Sequence, residues 1–476
     1  MRKDKKQTTG RMQPARQEER TYSVDLFTTD IPVWYEKSGK VSPMWLSLCE
    51  EERNQTSGLL EKIISTNNLF KAYRKVKSNG GSSGIDGQSI KEFGTWLNGH
   101  HKDLQAEILE GSYIPQAVKG VEIPKPKGGK RLLGIPTIKD RVIQQAILQI
   151  LQPMYDPKFS PNSYGFRPNQ STHQALKQAS KYVSGGKSNV VDIDLEKFFD
   201  QVHHQRLLWL LSTRIGDKRT LRLLSKILKS GIMQGGILSQ RTKGTPQGSP
   251  LSPLLSNIVL DELDQELTRR GLSFVRYADD LQVFVRKSQN AERIMGSLTN
   301  FIETRMRLKV NLSKSGIRRC WEVNFLGHSL LRGGELGLSK QSEERLKDKV
   351  RQVTQRNRGV STEQIIKELH TKLRGWLNYF HLAQMQKKLT KIDSWIKRKI
   401  RCFRLKQCKR VIGIVRFLTK LKVEKTLAWR TGLSGKSWWR LSNSPALNIG
   451  MNNKWFSEQG YYSLIENYKR LYRKPL

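Results

Sequence analysis

Residues 274–285 read F-V-R-Y-A-D-D-L-Q-V-F-V. Two apolar arms, Phe274-Val275 and Leu281 to Val285, flank the adjacent acids Asp279 and Asp280. The arms are rich in β-branched and aromatic residues with the turn between them, which predicts a hairpin. Neighbouring carboxylates at its tip repel each other. A divalent cation would hold them together, because hard cations take carboxylate oxygens. A solvated acidic turn is the plain alternative for a lone D-D pair.

A second acidic stretch weighs against that alternative. Residues 188–199 read S-N-V-V-D-I-D-L-E-K-F-F. Asp192 and Asp194 alternate with Val191, Ile193 and Leu195, so on a strand both acids point to one face. Helix formers from Glu196 through Leu211 predict that the strand runs straight into a helix. One of these aspartates plus the hairpin pair makes three carboxylates, enough for two Mg²⁺ ions. Two metals about 3.5–4 Å apart activate an attacking hydroxyl and stabilise a leaving pyrophosphate. A strand carboxylate facing hairpin carboxylates is the palm of a template-directed polymerase.

Charge points to the same partner class. The chain has 476 residues, with 85 Lys and Arg against 42 Asp and Glu and a net charge of +43. A polyanion is the implied partner, nucleic acid first. No apolar run near 18 residues suggests a membrane span, and the charged start M-R-K-D-K-K carries no secretory signal. The four cysteines, Cys49, Cys320, Cys402 and Cys408, form no CxxC pair. That argues for a reducing compartment and against structural zinc. The expected location is the bacterial cytoplasm, in a ribonucleoprotein.

The motifs, taken in order, resemble those of bacterial group II intron-encoded reverse transcriptases, or maturases, of the short kind without a nuclease domain. The matching runs are IPKPKGGKRLLGIPTIKDRVIQQA, SYGFRPNQSTHQAL, VVDIDLEKFFDQVHH, GTPQGSPLSPLLSNIVLDELD, RYADD, LKVNLSKS, FLG and RGWLNYF. The resemblance implies an α+β right hand, with fingers and an antiparallel palm at 58–337 and a helical thumb, the maturase domain X, at 338–410. A basic nucleic-acid-binding segment at 411–476 follows, and residues 1–57 form a polar, partly disordered extension. It implies RNA-dependent DNA synthesis with two Mg²⁺ ions from dNTPs on an RNA template with a DNA primer. Partners would be group II intron RNA, whose splicing the protein assists, and a DNA target. A splicing factor with lost polymerisation, and a host-adopted enzyme of phage defence or CRISPR spacer capture, are the rivals. No match to the paired-cysteine nuclease domain predicts no endonuclease activity.

The same resemblance assigns roles. Asp194, Asp279 and Asp280 become the metal ligands, with Asp192 in support. Lys125 and Arg131, on a basic hairpin with a Gly-Gly turn at 121–136, would meet the incoming triphosphate, and Arg141 is a lesser candidate. Phe199, five residues after Asp194, would exclude a 2′-hydroxyl. Gln247 would contact the nucleotide, and Lys314 would assist the leaving pyrophosphate. Gly84, in the glycine-rich loop 80–87, would lie over the template, and Gly327 would approach the primer end. Arg167, before a proline and so extended, would reach template phosphates or pair with a palm acid. Residues 308–315 read as strand then turn.

From Ser339 the pattern is helical. Leu373, Trp376, Leu377 and Phe380 recur at three and four residues, as a core face does. Trp395, Ile396, Ile400 and Phe403 do the same, and the rest is basic. Residues 371–476 hold 25 Lys and Arg against 4 Asp and Glu. Arg374, Arg398, Arg401 and Arg404 are therefore expected at nucleic acid. Trp429, Trp438, Trp439 and Trp455 among those cations suit structured RNA.

Overall fold

Leu59, Leu60, Ile63 and Ile64 are buried at helical spacing and open the first helical layer. The computed structural model describes residues 56–124 and 128–472. The expected N-terminal extension, nearly all of it, and Lys125 lie outside the described residues. Helices α1 (Leu59–Ile64), α2 (Thr66–Asn79) and α3 (Ile90–Glu110) lead to the hairpin β1 (Val118–Pro124) and β2 (Lys130–Ile135). Thr137 then caps α4 (Ile138–Tyr155), its side chain accepting from the Asp140 N–H, which satisfies a donor the first turn leaves open. Helix α5 (Thr172–Ser184) precedes the acidic strand β3 (Asn189–Ile193).

The expected continuous helix after β3 is broken. The chain makes α6 (Phe198–Gln201) and then α7 (His204–Ser212). No proline or glycine causes the breaks; tertiary hydrogen bonds do. Glu196 N–H donates to Lys309 O at 2.8 Å, and Gly244 N–H to Val202 O at 2.8 Å. Lys197 sits between at φ 45°, a region disfavoured for L-residues.

Next come α8 (Lys218–Lys229), the short hairpin β4 (Ile232–Gln234) and β5 (Ile237–Ser239), and α9 (Ser252–Arg269). The strands β6 (Ser273–Tyr277) and β7 (Asp280–Val285) are the expected hairpin. Helix α10 (Ser288–Asn300) and β8 (Gly316–Arg319) follow. The strand expected near 308–315 reduces to a single bridge, Leu195 to Val310, and the true strand starts at Gly316.

The palm sheet has the order β6-β7-β3-β8 and is antiparallel throughout. Both faces are apolar. Val191, Ile193, Phe274 and Val283 join the larger core. Val190, Val275 and Phe284 pack with Ala175, Leu176, Ala179 and Val183 of α5. A second sheet, β2-β1-β4-β5, carries the basic hairpin.

The third sheet is β9 (Asn324–Phe325), β10 (His328–Leu330) and β11 (Leu336–Leu338), ordered β11-β10-β9. Beyond it stand three long helices, α11 (Lys340–Val353), α12 (Thr362–Phe380) and α13 (Gln386–Cys408). Shorter helices α14 (Val411–Lys420), α15 (Lys425–Gly432), α16 (Trp438–Leu441), α17 (Pro445–Gly450), α18 (Asn453–Glu458) and α19 (Leu464–Tyr472) complete the chain's described part. One apolar cluster runs from Leu338 through Leu418 to Tyr468, without interruption at residue 410. Trp376 and Trp395 pack against it.

Candidate active site

Register builds the acidic site. In the β3–β7 ladder Asp192 faces Gln282 and Ile193 faces Leu281. Asp194 follows the last paired residue; its N–H donates to Ser315 Oγ at 2.9 Å, and its charge acts on Asp280. Tyr277 pairs with Asp280 across the hairpin, leaving Ala278 and Asp279 as the turn. Strand and turn thus bring Asp194, Asp279 and Asp280 to one end of the sheet.

The charges register this proximity. Burial pushes the Asp280 carboxyl up to about 7, with Asp279, Asp194 and Asp192 adding repulsion and Lys314 opposing. Burial also pushes Asp279 up, with Asp194 adding, while Arg131 and Lys314 oppose. Lys314 donates to Asp194 Oδ2 at 3.0 Å. Arg318 pairs with Asp192 at 2.6 Å, so Asp192 has its own cation on β8. Among the described residues no trio of acids or imidazoles already stands in ligating geometry. The donor set nevertheless fits a hard divalent cation: several carboxylates sit close together, and one is raised by burial and by its neighbours' charge.

The surroundings place other candidates. Arg131 lies on β2, exposed, and near enough to act on Asp279. Phe198 is buried core and Phe199 is partly buried beside it, with ring centroids 5.4 Å apart. Thr245 N–H donates to Phe199 O at 2.7 Å, and Gln247 O accepts from Gly134 N–H at 2.8 Å. The loop bearing Gln247 therefore ties α6 to the basic hairpin. Gly244 has φ +86°, and a Cβ there would stand 2.9 Å from Phe199 O. Ser249 is buried and donates to Gln144 Oε1 at 2.5 Å.

Gly84 packs against the start of α4, where a Cβ would stand 2.6 Å from Thr137 Cα. Arg141 is buried and donates to Pro136 O at 3.0 Å and to Ser82 O, so it anchors the glycine loop. Gly327, at φ +79°, is crowded by Ser342 and Phe380. Tyr379 O–H donates to Leu326 O at 3.1 Å and Ser342 O–H to Gly327 O at 2.9 Å.

Several arginines face inward. Arg167 pairs with Asp156 at 2.9 Å and donates to the carbonyls of Asp156, Ser160 and Ser163. It braces residues 156–163 and does not reach for template. Arg401 is 9% exposed and donates to Met451 O at 2.6 Å and Asn448 Oδ1 at 2.6 Å; burial lowers its pKa to about 10. Its expected nucleic-acid contact is replaced by a structural one. Arg398 stacks 4.0 Å over Trp439 and donates to Trp439 O at 3.0 Å. Arg404 lies 4.6 Å over Phe417. Arg374 is exposed.

Arg276 and Asp264 form a buried pair that the sequence does not announce. Arg276 is 1% exposed, directly behind the acidic turn, and forms a bidentate pair with Asp264, itself fully buried. Breaking such a pair from one side costs about 3–5 kcal/mol. An arginine in a strand carries no signal that it is buried, and here its partners come from other motifs.

Residues 123–330 match the reverse transcriptase (RNA-dependent DNA polymerase) family, and residues 343–420 match the group II intron maturase-specific domain. Protein YkfC of Escherichia coli (strain K12) is 33% identical over 318 residues, 58% of this chain and 83% of that protein. The chain belongs to the group II intron-encoded reverse transcriptase family. Group II intron-encoded protein LtrA of Lactococcus lactis subsp. cremoris is 35% identical over 226 residues, 46% of this chain and 36% of that protein. The putative COX1/OXI3 intron 2 protein of Saccharomyces cerevisiae is 29% identical over 349 residues, 60% of this chain and 40% of that protein. The reverse transcriptase thus spans well under half the length of these last two relatives. Its α+β fold, with an antiparallel palm sheet and helices beyond it, is that of an RNA-directed DNA polymerase. Among its described residues no helix is long and apolar enough to cross a membrane.

Proposed function

We propose that the protein extends a DNA primer on an RNA template by two-metal catalysis, and that it binds group II intron RNA to assist splicing and mobility at a DNA target. The observation that supports the reading is that β3 runs beside β7 up to Ile193, just before Asp194, and that the charge of Asp194 acts on both Asp279 and Asp280 at the end of that sheet. Asp194, Asp279 and Asp280 would hold two Mg²⁺ ions, which supply Lewis acidity to the primer 3′-hydroxyl and neutralise charge on the departing pyrophosphate. Arg131, together with Lys125, binds the triphosphate and offsets its developing charge. Phe199 stands under the sugar and excludes a 2′-hydroxyl, while Gln247 orients the nucleotide. Lys314, mostly exposed and held at Asp194, follows the pyrophosphate as it leaves. Gly84 and its loop cover the template, and Gly327 approaches the primer end.

The RNA-binding part of the reading is supported by the maturase-specific match and by the charge of residues 371–476. Exposed Arg374, with the outer edges of Arg398 and Arg404, would contact phosphates. The test is primer extension on an RNA template with Mg²⁺, using Asp279→Ala as control. Continued synthesis by that variant would refute the metal assignment.

A further inference from the structure

Three sequence motifs meet beneath the acidic turn, in a place the proposed chemistry leaves unexplained. Ser163 and Gly165 come from S-Y-G-F-R-P, Asn257 and Asp264 from α9, and Arg276 and Ala278 from R-Y-A-D-D. All five N–H groups of the Arg276 guanidinium are engaged. Nε and Nη2 hold Asp264 at 2.7 and 2.5 Å, and Nη2 also donates to Ser163 Oγ at 2.7 Å. Nη1 donates to Asn257 Oδ1 at 3.0 Å and to Ala278 O at 2.9 Å.

The last of these bonds matters for the site. Ala278 is the residue before Asp279, and it holds φ 57° without being glycine, a left-handed conformation that L-residues adopt rarely. Its carbonyl belongs to the peptide that joins it to Asp279. Fixing that oxygen fixes the plane of the peptide and the direction in which Asp279 leaves it. The turn is also pressed from the other side. A Cβ on Gly165 would stand 2.1 Å from Ala278 N, so only glycine lets these backbones meet. Asn257 closes the ring, its Nδ2 donating to Gly165 O at 2.9 Å.

We infer that Arg276 is a positioning residue for Asp279 and Asp280: its guanidinium, set by Asp264 and Asn257, holds the Ala278 carbonyl and so aims the two carboxylates. The inference rests on reading those aspartates as metal ligands. A planar fork is required, since it serves a carboxylate and a carbonyl in different directions at once; an ammonium is a point donor and cannot span them. Arg167 belongs to the same frame. By holding Ser160 O and Ser163 O it steadies the segment on which the turn rests.

The test separates aim from folding. Arg276→Lys keeps the charge and loses the fork. Arg276→Met with Asp264→Leu removes both buried charges together, a replacement that often leaves stability intact. Binding of Mn²⁺ to the full-length protein, followed by the electron paramagnetic resonance of free Mn²⁺, is measured beside single-turnover primer extension, melting temperature and RNA affinity. Both variants should bind Mn²⁺ about tenfold more weakly and extend primer roughly a hundredfold more slowly, the scale of an ångström's misplacement. RNA affinity should stay unchanged. A mere folding brace would lower the melting temperature while leaving Mn²⁺ affinity per folded molecule at the wild-type value, and that result would overturn the inference. Asp279→Ala runs in parallel. Should it alone lose Mn²⁺ while Arg276→Lys keeps it, the positioning role fails and the metal reading stands. Should Asp279→Ala keep Mn²⁺, both fail together.

Discussion

The palm turn and the helical C-terminal half use arginine in ways that look alike in sequence and differ in consequence. Behind the turn, Arg276 is buried on Asp264 and orients a neighbouring carboxylate pair. In the helical half, Arg401 is buried on Met451 O and Asn448 and orients nothing but its own core. Both lie near aromatic residues in the sequence. The difference is that a handful of acids converges on the palm, whereas the cations of residues 371–476 far outnumber acids and turn to ring faces and carbonyls. Net charge therefore indicates the partner of a chain without saying which cations touch it.

The largest expected effect breaks the palm side of the comparison. Asp279→Ala should lower cDNA synthesis by roughly a thousandfold, equivalent to about 4 kcal/mol of metal-derived stabilisation, with RNA affinity unchanged in a filter-binding assay. On the helical side, Arg401→Ala should cost about 2–3 kcal/mol of stability by orphaning a buried carbonyl and amide, visible in denaturant melts. Arg374→Ala should leave the melt unmoved and reduce the slope of log affinity for RNA against log salt by about one. If the two variants exchanged phenotypes, the inward and outward assignments would be reversed.

A fourth variant tests the sugar contact proposed for Phe199. Phe199→Ala should raise ribonucleotide incorporation by roughly tenfold, the discrimination one steric contact supplies; an unchanged preference for deoxynucleotides would remove that role from Phe199. An effect of similar size is expected in pH. The Asp280 carboxyl is raised to about 7, so protons compete with the metal as pH falls through that value. Apparent Mg²⁺ affinity should be about tenfold weaker at pH 6 than at pH 8, and Asp280→Asn should flatten the profile. Without metal the sign is opposite. The folded carboxyl holds its proton more tightly than the unfolded chain does, so its contribution to stability is full below about pH 4 and gone above about pH 7.

Much of the palm was legible because strand alternation and a D-D turn are local signals. The hairpin at Asp279-Asp280, the strand carrying Asp192 and ending at Ile193 just before Asp194, the Thr137 cap and the pairing of 119–124 with 130–135 all follow from residues close in sequence. What escaped was made by distant contacts. The break between α6 and α7 comes from the 240–245 loop, more than forty residues away. Arg276 reads as a surface arginine until Ser163, 113 residues distant, is beside it. Arg167 and Arg401 show the same lesson, because a charged letter does not reveal whether a carbonyl will meet it before a phosphate does.

Asp393, on α13, is 3% exposed and receives four hydrogen bonds from the far end of the chain: Tyr461 O–H, Ser463 O–H and the N–H groups of Leu464 and Ile465. Tyr468 O–H reaches back to Ala383 O at 2.9 Å. The last helix thus acts as a fastener for a helix seventy residues earlier. A frameshift or protease cut ahead of Tyr461 would strand an anionic group in an apolar interior, and the damage would surface at α13 and along the whole bundle rather than at the new terminus.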